Sequence, residues 1–350
     1  MRTPAEAYRR FGKVDAAGTP LYARIAVALS ESDEALRAIA AAPARTRQPA
    51  LVLAALHDLA LAGRAPALAD AFAAADGDAA ARAAVDTLVR MSDAVLAVAA
   101  GRKVQTLATA RCAALYPAVA EAARRVGADA VGLIGVGSGA GLDLHLDQVG
   151  ITYSDGRTLG DPSSPVQVST AVVGDRPVPA RAVPEVVARI RIGPDPVDET
   201  DADDARWLRA CVAPDEPERA ARLDAELAVV AASAPVLLRG DPVELLPDAL
   251  ARVPAGALPV VTTTWALSQL PLEGRLRFLH RLDETATHRP VAWVAAEGVG
   301  VAPAIPTLGD RRASGHSILG LGVFEHSRLR AEAIGRCWSR GRLLAWLADP

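Results

Sequence analysis

The chain has 350 residues, 51% of them hydrophobic, with 38 Lys and Arg against 41 Asp and Glu and a formal net charge of −3. That apolar content supports a sizeable core, in one large domain or two ordinary ones, and excludes a disordered chain. Acidic and basic residues are interspersed, and no basic run is long enough to follow a phosphate backbone, so nucleic acid is excluded as the expected partner.

Lys13 and Lys103 are the only lysines and Asn is absent, so Arg is the default cation and its type alone marks no anion site. Cys112, Cys211 and Cys337 are odd in number and far apart, which suits neither a disulfide framework nor a metal knuckle. His57, His145, His280, His288, His316 and His326 share no ligand spacing, and no metal is expected. The opening MRTPAEAYRRFGKV has no apolar stretch after its charges, and no window is long enough to span a bilayer. A cytoplasmic protein acting on a small molecule, with no membrane partner, is expected.

From residue 5 to about 125 the apolar residues recur at helical spacing, as in Leu21, Ile25, Ala26 and Leu29, and again in Val85, Leu88, Val89, Ala94 and Leu96. Helix stops stand at Gly63, at Gly101 before Arg102 and Lys103, and at Gly127 after Arg124 and Arg125. Residues 1–127 are therefore read as an all-helical N-terminal region. At 128 the pattern changes to a short apolar run that opens into Gly135-Val136-Gly137-Ser138-Gly139-Ala140-Gly141 and then a helical stretch, a strand, glycine turn and helix. Strand-like runs follow at 186–192, 235–238, 258–263 and 290–295, between helical segments at 203–211, 216–232, 243–252 and 272–286. This alternation predicts an α/β domain over 128–350, with a mostly parallel, Rossmann-like sheet. Runs at 317–324 and 331–338 are most simply an antiparallel C-terminal strand pair, with a helix as the alternative for 329–334. The Gly/Pro/Ser/Asp-rich stretch 150–184 is too long for an ordinary connection and is expected as an insertion over the site, a candidate lid.

A glycine turn between a buried strand and a helix lets backbone N–H groups approach a nucleoside or phosphate, so Gly135, Gly137, Ser138, Gly139 and Gly141 are candidate cofactor contacts. The same turn also fits the dinucleotide spelling G-x-G-x-x-A, or a tight turn without ligand. Ligands of open α/β sheets sit outside the carboxyl ends of the strands. Asp195 after the second strand could accept ribose hydroxyls, and Asp241 after the third an adenine amine; the alternatives are a solvated loop carboxylate and a helix N-cap.

Several segments carry a resemblance to a family. They are Thr19-Pro20-Leu21-Tyr22, Val104-Gln105-Thr106 leading to Arg111-Cys112-Ala113-Ala114-Leu115, and the glycine turn through Gly141-Leu142-Asp143-Leu144. In order, they continue with Gly160-Asp161-Pro162-Ser163-Ser164-Pro165, Asp195-Pro196-Val197-Asp198, Trp207-Leu208-Arg209-Ala210-Cys211, Pro214-Asp215, Arg219 and Arg222-Leu223. The chain resembles the uncharacterised actinobacterial family DUF2332. The resemblance implies a methyltransferase-type Rossmann fold and S-adenosylmethionine as cofactor. It departs from that pattern at Gly135, where an acidic residue is usual, and at Leu107 and Ala108, where Asn and Glu are usual.

In methyltransferase-like folds the end of the fourth strand faces the reacting methyl group, which makes Thr264 and Trp265 candidates for the substrate wall, the indole also for a cation–π face. Glu297 after the fifth strand is a candidate base. Arg111 is a candidate for an anionic substrate group or the methionine carboxylate, and His145 could face the cleft from the helix after the glycine turn. Each has a plain structural alternative in packing, loop or salt-bridge roles. The function expected is an S-adenosylmethionine-dependent methyltransferase. The alternatives are a catalytically silent metabolite- or partner-binding protein, suggested by Gly135, Leu107 and Ala108, and a nicotinamide-dependent oxidoreductase, whose acidic residue would be Asp155 inside the insertion.

Overall fold

The structure, a computed structural model, describes residues 3–105, 108–137, 139–326 and 328–349. Helices α1 (Pro4–Arg10), α2 (Pro20–Glu31), α3 (Asp33–Ala41), α4 (Pro49–Leu61), α5 (Pro66–Ala73), α6 (Gly77–Arg90) and α7 (Ser92–Gly101) open the chain. They are followed by α8 (Cys112–Val126), α9 (Ala202–Ala210), α10 (Pro217–Ala232), α11 (Pro242–Ala251) and α12 (Leu272–Thr285). The strands are β1 (Ala130–Val136), β2 (Gly150–Tyr153), β3 (Thr158–Gly160), β4 (Gln167–Val172), β5 (Glu185–Gly193), β6 (Val236–Arg239), β7 (Leu258–Thr264), β8 (Val291–Gly298), β9 (Ser317–Glu325), β10 (Arg328–Trp338) and β11 (Leu343–Trp346).

Two compact units divide the chain: Met1–Thr106 with Thr200–Asp224, and Leu107–Glu199 with Ala225–Pro350. The break expected at 127 thus falls earlier, because residues 112–123 of α8 are all buried and most join the core of the second unit, and α9 belongs to the first. In the first unit, Pro stands at the start of α1, α2, α4 and α5, where its missing N–H has no helical partner to lose. Thr3 and Glu6 form a capping box on α1, and Asp76 caps α6. Tyr8, Ile25, Leu29, Leu53, Leu56, Leu68 and Leu88 fill the core, and Trp207 of α9 joins them, its Nε1 donating to Lys103 O at 2.8 Å. No single helix among the described residues is long and apolar enough to cross a membrane.

The second unit is built on an 11-stranded, mostly parallel sheet in the order β3-β2-β4-β11-β10-β9-β8-β7-β1-β5-β6. Its segment β6-β5-β1-β7-β8 is parallel throughout. Counted along the chain as the parallel strands of the domain, these run 3-2-1-4-5, a doubly wound order whose direction reverses beside the first strand. Strand β1 is an unbroken apolar run because both its faces are covered: Val131 and Leu133 pack with α8, while Ile134 and Val136 pack with α11 and α12. The expected C-terminal pair is present, with β9 and β10 antiparallel.

Two expectations are corrected. The stretch 150–184 does not cover the glycine turn; it supplies β2, β3 and β4, which extend the far end of the sheet through β11. Asp155 accordingly sits in the β2–β3 turn, bonded to Arg157 N at 3.1 Å. The α-helix expected after the glycine turn does not form either. Residues 142–144 and 146–148 make two short 3-10 turns instead. Leu142, Leu144 and Leu146 are all buried, and at two-residue spacing successive leucines would point about 200° apart on an α-helix. Arg189 and Arg191, alternate residues of β5, tie this segment to the sheet: Arg189 pairs with Asp147 at 2.7 Å and donates to Leu144 O at 2.5 Å.

Candidate functional site

The chain order reverses between β1 and β7, so the carboxyl ends of these two strands diverge and leave a crevice. A pocket of about 210 Å³ lies there. The glycine turn forms one wall through Gly135, Val136, Gly137, Gly139 and Ala140, and the residues leaving β7, Thr264, Trp265, Ala266 and Gln269, form another. Arg111, Asp143 and Arg191 complete it. Of the expected contacts, the pocket brings together Gly135, Gly137, Gly139, Arg111, Thr264 and Trp265; Ser138, like Thr106 and Leu107, lies outside the described residues.

The glycine turn is not the amide cradle that its sequence suggests. Gly137 N donates to Ile192 O at 2.8 Å, and Gly141 N donates to the Glu199 carboxylate at 3.1 Å, so both amides are engaged within the protein. With no α-helix following, the partial positive charge of a helix N-terminus is missing as well. Gly141 stands at φ 137°, a conformation that requires glycine, and is not on the pocket wall. The two strand-tip carboxylates also lie off the wall. Asp195 is exposed and pairs with Arg239 at the tip of β6. Asp241 caps α11, accepting from Val243 N at 2.8 Å and Glu244 N at 3.3 Å, which is the alternative its position before a helix allowed.

In place of that cradle is a buried charge cluster. Arg191 is 1% exposed, and its guanidinium donates to Glu199 at 2.5 Å, to Gly141 O at 3.0 Å and to Asp143 at 3.3 Å. Burial opposes its charge, but the two carboxylates outweigh that and hold its pKa above the ordinary arginine value. A Cβ built on Gly135 would press on the Leu144 side chain at 3.3 Å and would lie in ordinary contact, 3.6 Å, with Asp143 Oδ2, so the carboxylate supplied from eight residues on stands directly beside Gly135. The oxygen Glu199 Oε2 is buried with no partner among the described residues.

Arg111 ends a short 3-10 turn before α8. It is half-buried and donates to the Thr264 hydroxyl at 2.9 Å; among the described residues no carboxylate pairs with it. Trp265 follows β7 with φ 58°, is 49% exposed, and lays its ring edge over Gly298. A non-glycine residue held in the left-handed region at a pocket mouth is stored strain of the kind found at functional positions.

Glu297 does not reach the pocket wall. It is buried at the end of β8 and accepts from Ala266 N and Leu267 N, each at 3.0 Å, fixing the turn that carries Trp265. Burial pushes its pKa up to about 7, against the pull of those amides. His145, expected on a helix facing the cleft, is buried between the two 3-10 turns, donates Nε2–H to Ser233 O at 2.9 Å, and is pushed down to about 4 by burial. Cys112 is fully buried beside Leu142 O, and burial drives its thiol far above the thiolate range.

Asp143, Arg191 and Glu199 carry the site's charge and were not among the expected residues. A signal for them existed. Arg189 and Arg191 alternate with Ile190 and Ile192 on a strand flanked on both edges, and charges on such a strand require buried partners nearby. No curated protein and no solved structure matches the chain. The glycine turn, the arginines of the pocket and nearly all of the remaining sequence fall within one family model, which matches residues 5–346, and the chain belongs to that family, described as "Uncharacterized protein conserved in bacteria (DUF2332)".

Proposed function

We propose that the chain is a binding protein for a small polar metabolite, held in the crevice between the ends of β1 and β7 on a Rossmann-like sheet of the methyltransferase type. The observation that carries this reading is Arg111: a half-buried side chain on the pocket wall that, among the described residues, bonds a neutral hydroxyl and no carboxylate, which suits its remaining donors to a ligand. The pocket offers charge and an aromatic face, but the carboxyl raised to about 7, Glu297, lies off the wall and holds two backbone amides. The free thiols of Cys112, Cys211 and Cys337 support a reducing compartment, the cytoplasm.

S-adenosylmethionine does not fit as a whole. A volume of about 210 Å³ is below the roughly 300 Å³ at which sites for drug-sized ligands begin, the amides at 137 and 141 are engaged, and Asp195 and Asp241 have other partners. One observation favours methyl transfer as a second reading: the Asp143 carboxylate beside Gly135 stands near the place where the acidic residue of such enzymes is missing. Thermal-shift measurement across a broad metabolite panel, with calorimetric titration of S-adenosylmethionine and S-adenosylhomocysteine, separates the two. Stabilisation by a small polar compound in preference to both adenosyl ligands is expected. Sub-millimolar binding of S-adenosylmethionine and S-adenosylhomocysteine would overturn the ordering, and no ligand-specific shift in the broad panel would overturn the binding reading.

A further inference from the structure

The charges on the pocket wall do not balance where they stand. Arg191, one guanidinium, lies between two carboxylates, Glu199 and Asp143, so that cluster holds one negative charge in excess. Glu199 is buried and holds Arg191 and Gly141 N through Oε1, whereas Asp143 lines the pocket, so it is at Asp143 that a ligand meets the excess. The half-buried Arg111 lines the same space, and the two do not pair with each other or, in the case of Arg111, with any other carboxylate among the described residues. Keeping separated opposite charges out of bulk water is costly unless each meets a counter-charge. A simple anion would satisfy Arg111 and repel Asp143; a simple cation would do the reverse.

Resting on the binding reading above, we propose that the ligand is a zwitterion of free amino-acid size, with its carboxylate on Arg111, its ammonium on Asp143 and its apolar body against the Trp265 indole. The volume agrees: about 210 Å³ holds such a molecule but not an extended dinucleotide. Space beside Gly139, where an added Cβ would touch nothing, leaves room along the glycine wall for side chains of different length. Val136 and Ala266 give the remaining wall an apolar character suited to an uncharged side chain.

The test uses the full chain and three sets of probes. The first is L-leucine, L-methionine and L-phenylalanine; the second is the amine and the carboxylic acid that each becomes on losing one charged group; the third is adenosine and S-adenosylmethionine. Thermal shift and calorimetric titration are expected to show binding of at least one zwitterion and at least roughly tenfold weaker binding of both its half-molecules, the factor expected from one charge-assisted hydrogen bond. Arg111→Gln and Asp143→Asn should each reproduce that loss, and Arg111→Lys should restore part of it. The half-molecule comparison on the unaltered protein holds even if a variant fails to fold. Half-molecules binding as tightly as the zwitterion, or adenosine binding that ignores Arg111→Gln, would overturn the zwitterion while leaving the pocket as a ligand site. Silence of all three sets beside a response to another metabolite of the broad panel would do the same, whereas silence of the broad panel too would remove the binding reading itself.

Discussion

Replacing Glu297 by Gln should convert a pH-dependent part of the stability into a flat one. In the folded protein burial pushes the Glu297 carboxyl up to about 7, against 4.5 for an ordinary glutamate, because it disfavours the ionised form. A raised carboxyl pKa means that between these two values the folded state holds a proton that the unfolded state has released, so stability falls as pH rises. The shift corresponds to about 3 kcal/mol in full, and integrating over pH 5 to 8 gives a loss of about 2.5 kcal/mol. The total profile of the protein will not show this directly. His57 and His145, both lowered to about 4 by burial, act in the opposite sense: their stability is present above 6.5 and is lost as pH falls through 4. The difference between wild type and Glu297→Gln cancels those contributions. Glutamine keeps an oxygen for Ala266 N and Leu267 N, so the turn remains capped. Urea unfolding followed by tryptophan fluorescence at pH 5, 6, 7 and 8 should show the variant gaining on wild type by about 2.5 kcal/mol across the series. A difference that stays constant from pH 5 to 8 would refute the assignment of a buried, protonated Glu297.

Arg191→Met should cost about 3–5 kcal/mol in urea unfolding, since it strands the buried Glu199, and the half-buried Asp143 beside it, without their cation. Gly141→Ala should cost about 1–3 kcal/mol, because alanine is strained at φ 137° and both backbone groups of that residue are bonded to the Arg191–Glu199 pair; unchanged stability would mean that the turn relaxes freely. Trp207, Trp293 and Trp346 are buried and Trp338 is half-buried, so Trp265→Phe should remove most of the fluorescence that acrylamide quenches, together with any ligand-induced change. Tyr153→Phe removes the hydroxyl that donates to Ala113 O at 2.7 Å beneath α8 and should cost about 1–2 kcal/mol, read from the same urea curves.

The strands and helices of the second unit were legible because their signals are local and repeated. The run at 130–136 is apolar at every position, as a strand covered on both faces must be, and the amphipathic stretch that became α12 has helical spacing from Leu272 to Leu282. The segment after the glycine turn departs from expectation because glycine-rich turns ending parallel strands so often lead into helices. Its own pattern, leucine at alternate positions from 142 to 146, spoke against one. Asp195 and Asp241 stand at the strand tips expected of them, yet each meets a nearer partner: an arginine on the neighbouring strand tip, and the bare amides at the start of α11. Arg191 escaped notice because arginine is the ordinary cation of this sequence. What distinguishes it is its depth, which depends on Gly135, 56 residues earlier, and Leu237, 46 residues later, the partners on its two neighbouring strands, which no local window contains.

The discontinuity of the first unit bears on how the chain matures during synthesis. Trp207, Ala210 and Ala213 belong to its core, Tyr22 hydroxyl donates to Ala210 O at 3.2 Å, and Leu21 N to Asp215 at 2.8 Å. Those partners emerge only after β1 through β5, so the leading helices gain these core contacts late in synthesis. A first unit completed by residues 200–224 should therefore finish folding after the second has begun to emerge, and a nascent chain stalled near residue 150 should be more protease-sensitive in its leading helices than one stalled beyond 224.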